Sequence, residues 1–190
     1  MKRGQMEIMG LVVIVLLLSL GMLFMAKFAI NDKVEKKIFT RKGLAYSTVS
    51  AVMKETIDNQ GCVVNGVDKP IAVGSELFDD CSLFYRNYNT GQQLVDASYS
   101  LYQCGGKHSC AFLREHITTQ LAATLGVWNK KYTFESSLVS PATPNSKDVI
   151  FTIVGAGGCS AKGSNKDSSG IYPLSNLQGG EVQNILYICE

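Results

Sequence analysis

From Ile8 to Ala26 the chain runs 19 residues without a charge. Apolar side chains fall on every side a helix would offer, so the stretch has no preferred face. At about 1.5 Å rise per residue it reaches close to 30 Å, the thickness of a bilayer core. Past Asn31 the pattern becomes sided. Val34, Ile38, Ala45, Val49, Val52, Met53 and Thr56 keep mostly helical spacing, with charges opposite and Gly43 as a weak point. Asn59-Gln60-Gly61 reads as a stop. The pattern predicts one long helix over 6–59, open to interruption, whose second half needs a domain or a coiled-coil partner to cover its stripe.

Gly61 to Gly74 reads as a loop or short strand. "SELFDDCSLFYRNY" predicts helix weakly, and "QQLVDASYSLYQC" predicts helix through Leu94, Ser98, Leu101 and Tyr102. "CAFLREHITTQLAATLGVW" predicts it clearly, with Leu113, Ile117, Leu121 and Leu125 at i+4 and Gly126 near the end. The period then changes. "KKYTFESSL", "DVIFTIVG" and "VQNILYICE" are β-rich and divided by Pro and Gly clusters, which predicts an antiparallel sheet. Gly155 to Gly180 reads as an exposed loop. The expected fold class is α+β. A long N-terminal helix, membrane segment or stem, precedes a small head of two to three helices and a C-terminal antiparallel sheet of about three strands.

Charge sharpens the division. Residues 1–42 carry eight Lys/Arg and three Asp/Glu, a balance of +5, and residues 43–190 carry ten and thirteen, a balance of −3. A mildly acidic head argues against nucleic acid. The apolar run exceeds the roughly 7–15 residues of a secretory signal, and no small-x-small site follows it, so it is expected to be retained. The lysines after the run place the far side in the cytoplasm under the positive-inside rule, whereas six cysteines beyond it place the head outside the cell. These two signals conflict.

The residues before the run address that conflict. Lys2-Arg3-Gly4, then Gln5, then Glu7 ahead of the apolar stretch resembles the class III signal sequence of the type IV prepilin family, most closely its archaeal pilin and archaellin members. The resemblance covers about the first 30 residues. It departs from the bacterial pattern in placing Met9 where Glu is usual, with Glu7 two positions early. It implies cleavage by a prepilin peptidase between Gly4 and Gln5, giving a leader (1–4), a polymerisation helix (5–30), an amphipathic helix (31–60) and an extracytoplasmic head (61–190). It further implies a pilin-like structural subunit, held in the cell membrane and assembled with copies of itself or other pilins into a surface filament. Glu7 belongs to the stem, and Ser19 and Gly21 are small residues where stems approach, with Met6, Met9, Met22 and Met25 as adaptable fillers. The alternative is a membrane-anchored extracytoplasmic binding domain that never polymerises.

Cys62, Cys81, Cys104, Cys110, Cys159 and Cys189 allow fifteen sets of three disulfides. Sequence-local pairing gives Cys62–Cys81, Cys104–Cys110 and Cys159–Cys189. "CGGKHSC" contains Cys104, His108 and Cys110, but no Cys-x-x-Cys, so a disulfide-closed loop is favoured over zinc. "VIFTIVGAGGCS" carries Gly155, Gly157 and Gly158 after a strand, yet the helix of a dinucleotide site does not follow. His108 and His116 are the only candidate bases, His116 sits beside an apolar stripe, and no nucleophile signature accompanies them. No catalytic residue, metal, cofactor or small-molecule substrate is expected, nor is there an Asn-x-Ser/Thr sequon.

Overall fold

β-Branched and aromatic residues after Lys130 alternate between two environments, and this alternation builds the largest sheet. The computed structural model describes backbone for residues 3–58, 62–64, 67–89, 101–141, 146–159, 166–177 and 179–189. Side chains within it are described except at 3–11, 28–37 and 86–89. Contacts divide the chain into two units, Met1–Thr40 and Arg41–Glu190.

Helix α1 (Arg3–Lys54) contributes to both. In the first unit, side chains are described over 12–27, where every one is exposed, and over 38–40, where Ile38 is half-buried. In the second, Ala45, Val49, Val52 and Met53 are buried, the i, i+4, i+7, i+8 set of one helical face. The helix ends at Lys54, short of the expected Asn59. The β-branched pair Thr56 and Ile57 forms strand β1 (Thr56–Ile57) against β4 (Ile71–Ala72), and Glu55 O accepts from Val73 N at 3.0 Å.

Between them lie β2 (Cys62–Val64) and β3 (Val67–Asp68). A π-type turn over Val73–Leu77 leads into α2 (Phe78–Asn89). Strand β5 (Tyr102–Cys104) pairs with β2, so the predicted helix over this segment is wrong at its C-terminal end. Its Leu94 and Ser98 lie outside the described residues. The reason is local. The Asp80 carboxylate accepts from the Leu101 and Tyr102 N–H groups at 3.0 and 3.4 Å, which removes them from any helical ladder. Helix α3 (Ser109–Leu121) continues into a π-type turn (Ala122–Gly126) and buries Leu113, Ile117, Leu121 and Leu125.

Strands β6 (Lys131–Val139), β7 (Lys147–Gly155) and β10 (Glu181–Cys189) occupy the three β-rich segments. The expected loop between the last two supplies β8 (Lys166–Ser168) and β9 (Tyr172–Ser175), both paired to β10. The antiparallel order is β7-β6-β10-β8, with β9 also on β10. Tyr132, Phe134, Phe151, Ile153, Val182, Leu186 and Ile188 are buried together with α2, α3 and the striped part of α1. Gly155 faces Tyr132 across the β6–β7 ladder, and a Cβ there would strike the Tyr132 ring. We expect Gly155→Ala to destabilise the head by about 1–3 kcal/mol, the usual effect of overpacking, and thermal unfolding followed by circular dichroism measures it. A melting point equal to wild type would show that the ring has room to move.

The fold class expected from sequence needs correction. The described structure beyond α1 is mostly antiparallel sheet, ten short and long strands in three sheets, in place of one sheet of about three strands. The membrane helix expected at the N-terminus is not recovered either. Among the described residues no helix is long and apolar enough to cross a membrane.

Three disulfides join the second unit: Cys62–Cys104, Cys81–Cys110 and Cys159–Cys189. The last is as expected, and the first two replace Cys62–Cys81 and Cys104–Cys110. Register is the cause. Cys62 and Cys104 are opposite each other on β2 and β5, and Cys81 and Cys110 bridge the packed helices α2 and α3.

Candidate functional site

The expected functional residues fall into an N-terminal set and a head set. Gly4, Gln5 and Glu7 lie within the bounds of α1, with side chains outside the described residues. Ser19 donates its hydroxyl to Leu16 O at 2.9 Å, and a Cβ added at Gly21 would meet nothing within 4 Å. Two residues on a helix are about 200° apart, so Ser19 and Gly21 do not share a face. Around them Leu16, Leu17, Leu18, Leu20, Met22, Leu23, Phe24 and Met25 are all more than half exposed, from 54 to 79%. Contiguous apolar exposure of this kind marks a surface made to be covered.

In the head, the two cysteines of "CGGKHSC" are committed to different partners, Cys104 to Cys62 and Cys110 to Cys81. The loop is therefore not closed on itself. His108 is the N-cap of α3, and its Nδ1 accepts from Cys110 N at 3.1 Å. Burial pushes the imidazole below its ordinary range, against the pull of Asp80, and only the neutral ring can accept this bond. Among the described residues no group of three or more His, Cys, Asp or Glu could hold a metal ion. Gly157 and Gly158, which follow Gly155 in the glycine-rich loop, form a turn that returns through Cys159 N, which donates to the Thr133 hydroxyl at 3.0 Å.

Pattern reading alone does not anticipate the contacts of Glu55. Its carboxylate takes His116 Nε2 at 2.9 Å and Gln120 Nε2 at 3.2 Å. The His116 side chain is 8% exposed and its ring stacks on Phe112, 6.0 Å between centroids and 14° between planes. Sequence distance hides this cluster, since Glu55 and His116 are 61 residues apart. It ties the end of α1 to α3 and divides two shallow grooves. One, about 580 Å³, is lined by Ser47, Thr48, Ala51, Glu55, Gln120 and Thr124. The other is lined by Lys107, Phe112, Glu115, His116 and Thr119, with Lys107 ion-paired to Glu115. Glu76 is a second tethered carboxylate. Burial draws its pKa upward, but the Ala72 N–H and Lys69 Nζ outweigh that and hold it below the usual range.

No family model, curated protein or solved structure matches this chain.

Proposed function

We propose that the protein is a pilin-like structural subunit of an archaeal type IV pilus-like surface filament, processed by a prepilin peptidase and held at the cell membrane before assembly. The observation that carries this reading is the apolar N-terminal run, exposed at every side chain from 12 to 27, in a chain whose described buried core and three disulfides all lie at residue 45 or later. Such a head needs nothing from the run, while the run needs cover. Copies of the same run, packed side by side, supply that cover. Ser19 and Gly21, on opposite faces, suit a bundle in which each stem has several neighbours. The disulfides fit an extracytoplasmic head.

The test exploits the open space at Gly21. Because a Cβ there meets nothing among the described residues, Gly21→Leu is expected to be silent within a single copy. It is expected to leave the amount of membrane-fraction protein unchanged and to abolish surface filaments seen by electron microscopy. N-terminal sequencing of the native protein is expected to begin at Gln5, and Gly4→Leu to leave the precursor uncut. Normal filaments from Gly21→Leu, together with an unprocessed native N-terminus, would overturn the proposal. They would favour a membrane-anchored binding domain, to which the groove beside Glu55 would then give a first place to look.

A further inference from the structure

Val127 and Trp128 are 75% and 60% exposed at the end of the α3 region, on a turn that the chain holds firmly in place. Lys130 N donates to Leu125 O at 3.0 Å, Asn129 N donates to Gly126 O at 2.9 Å, and Asn129 takes φ 51°. These are the two hydrogen bonds and the left-handed residue of a Schellman closure. The two large apolar side chains are thus presented outward by a rigid backbone. Neither lines the two grooves described above. The feature is a protruding tip, and a tip does not enclose a ligand.

Its surroundings are basic. Lys130 and Lys131 follow directly and are exposed. Lys131 lies opposite Cys189, and Cys189 opposite Lys166, so the two lysines end a row across β6, β10 and β8, about 10 Å apart at two strand spacings. Directly paired residues share a face, so both lysines stand on the outer side of the sheet. Lys166 Nζ sits over the Tyr187 ring at 3.7 Å. Asp167 is buried toward α1 and paired with Arg41. Among the described residues of β6, the first carboxylate on the outer face is Glu135. The helix dipole favours a cation at Lys130 but does not reach Lys166 across the sheet.

We propose that this tip docks the head onto an anionic lipid surface. Trp128 and Val127 would enter the headgroup region, and Lys130, Lys131 and Lys166 would meet the lipid phosphates. Tryptophan is enriched at that interface because its ring is apolar with one polar N–H, and lysines beside it add attraction to anionic lipid. A flat fluid surface accepts a convex tip, whereas a glycan or peptide needs a concave site. The inference does not depend on filament formation.

Trp128 is the only tryptophan in the chain, so its fluorescence reports this tip alone. Full-length protein is incorporated into phosphatidylcholine vesicles and mixed with a second population carrying a brominated lipid. That second population is either phosphatidylcholine alone or an equal mixture with phosphatidylglycerol. We expect a blue shift and quenching of Trp128 with the anionic vesicles, lost in high salt. Lys130→Gln with Lys131→Gln should weaken the response about tenfold or more, given two lysines at an anionic surface, without altering the far-UV spectrum. No quenching, or equal quenching by both vesicle types, overturns the proposal. So does a Trp128 response to soluble oligosaccharides, or one that follows protein density in neutral vesicles, which would assign the tip to a glycan or to a second copy of the chain.

Discussion

With Cys81 and Cys110 both replaced by Ala, the head should unfold about 10 °C below wild type. Both residues are fully buried, and their bond closes a loop with a sequence separation of 29 between α2 and α3. A loop of that length, on chain entropy alone, is worth about 3–4 kcal/mol. For a domain of this size each kcal/mol moves the melting temperature by about 2–4 °C. The estimate is an upper one for a reason visible in the connectivity. Cys62–Cys104 closes an overlapping loop, so the unfolded chain is already restricted when Cys81 and Cys110 join. Removing both bonds should therefore cost less than the sum of the two single removals. Calorimetry of the two pair-variants and the quadruple variant checks the magnitude and the non-additivity together. A fall under about 2 °C for Cys81→Ala/Cys110→Ala would mean that the loop closure contributes almost nothing here.

Asp167→Ala should be the most damaging single change outside the disulfides. Arg41 Nε lies 2.5 Å from Asp167 Oδ2, and the two side chains are 14% and 11% exposed. Removing the carboxylate takes the ion-pair partner from a mostly buried guanidinium, and breaking such a pair costs about 3–5 kcal/mol. Both charges were taken out of water to make the contact, so the intact pair is worth much less than this. Replacing both residues by Leu should accordingly cost only about 1 kcal/mol or less. Urea midpoints for Asp167→Ala, Arg41→Leu and the double variant decide the matter. A double variant less stable than Asp167→Ala would show that the pair is a net source of stability. The contact joins α1 to β8, the three-residue strand in the segment whose sequence reads as loop.

What the sequence made legible was periodic. Ala45, Val49, Val52 and Met53 repeat at helical spacing and are buried as one face. Leu113, Ile117, Leu121 and Leu125 do the same in and after α3, and the β-rich runs at 131–139, 147–155 and 181–189 are strands. What it hid was short or distant. Strands β1 to β5 have two or three residues each, too few for an alternation to register. Strand β5 was misread as helix because Leu101 and Tyr102 continue a spacing that the Asp80 carboxylate overrides. The cysteine partners could not be ranked by nearness along the chain, since Cys62 meets Cys104 only through strand register. Glu55, His116 and Gln120 escaped for the same reason. The tip at Trp128 carried a usable signal, a lone aromatic ahead of Asn129 and two lysines at a helix end. The proposed stem residues rest on their local pattern, and the structure adds the open space at Gly21 and the opposed faces of Gly21 and Ser19.

The disulfide arrangement also sets how the head behaves under tension. A pull along the chain cannot draw out the segment between Cys62 and Cys104, 42 residues apart, or that between Cys159 and Cys189, 30 apart. At about 3.4 Å of contour per extended residue, the two closures withhold on the order of 240 Å of slack. A cut between Cys81 and Cys104 frees nothing, because both crossing bonds still span it. Under tension the extension of the head comes from the stretch between Cys110 and Cys159, which no bond spans, while a single cut between Cys62 and Cys110, or between Cys159 and Cys189, leaves the covalent path intact.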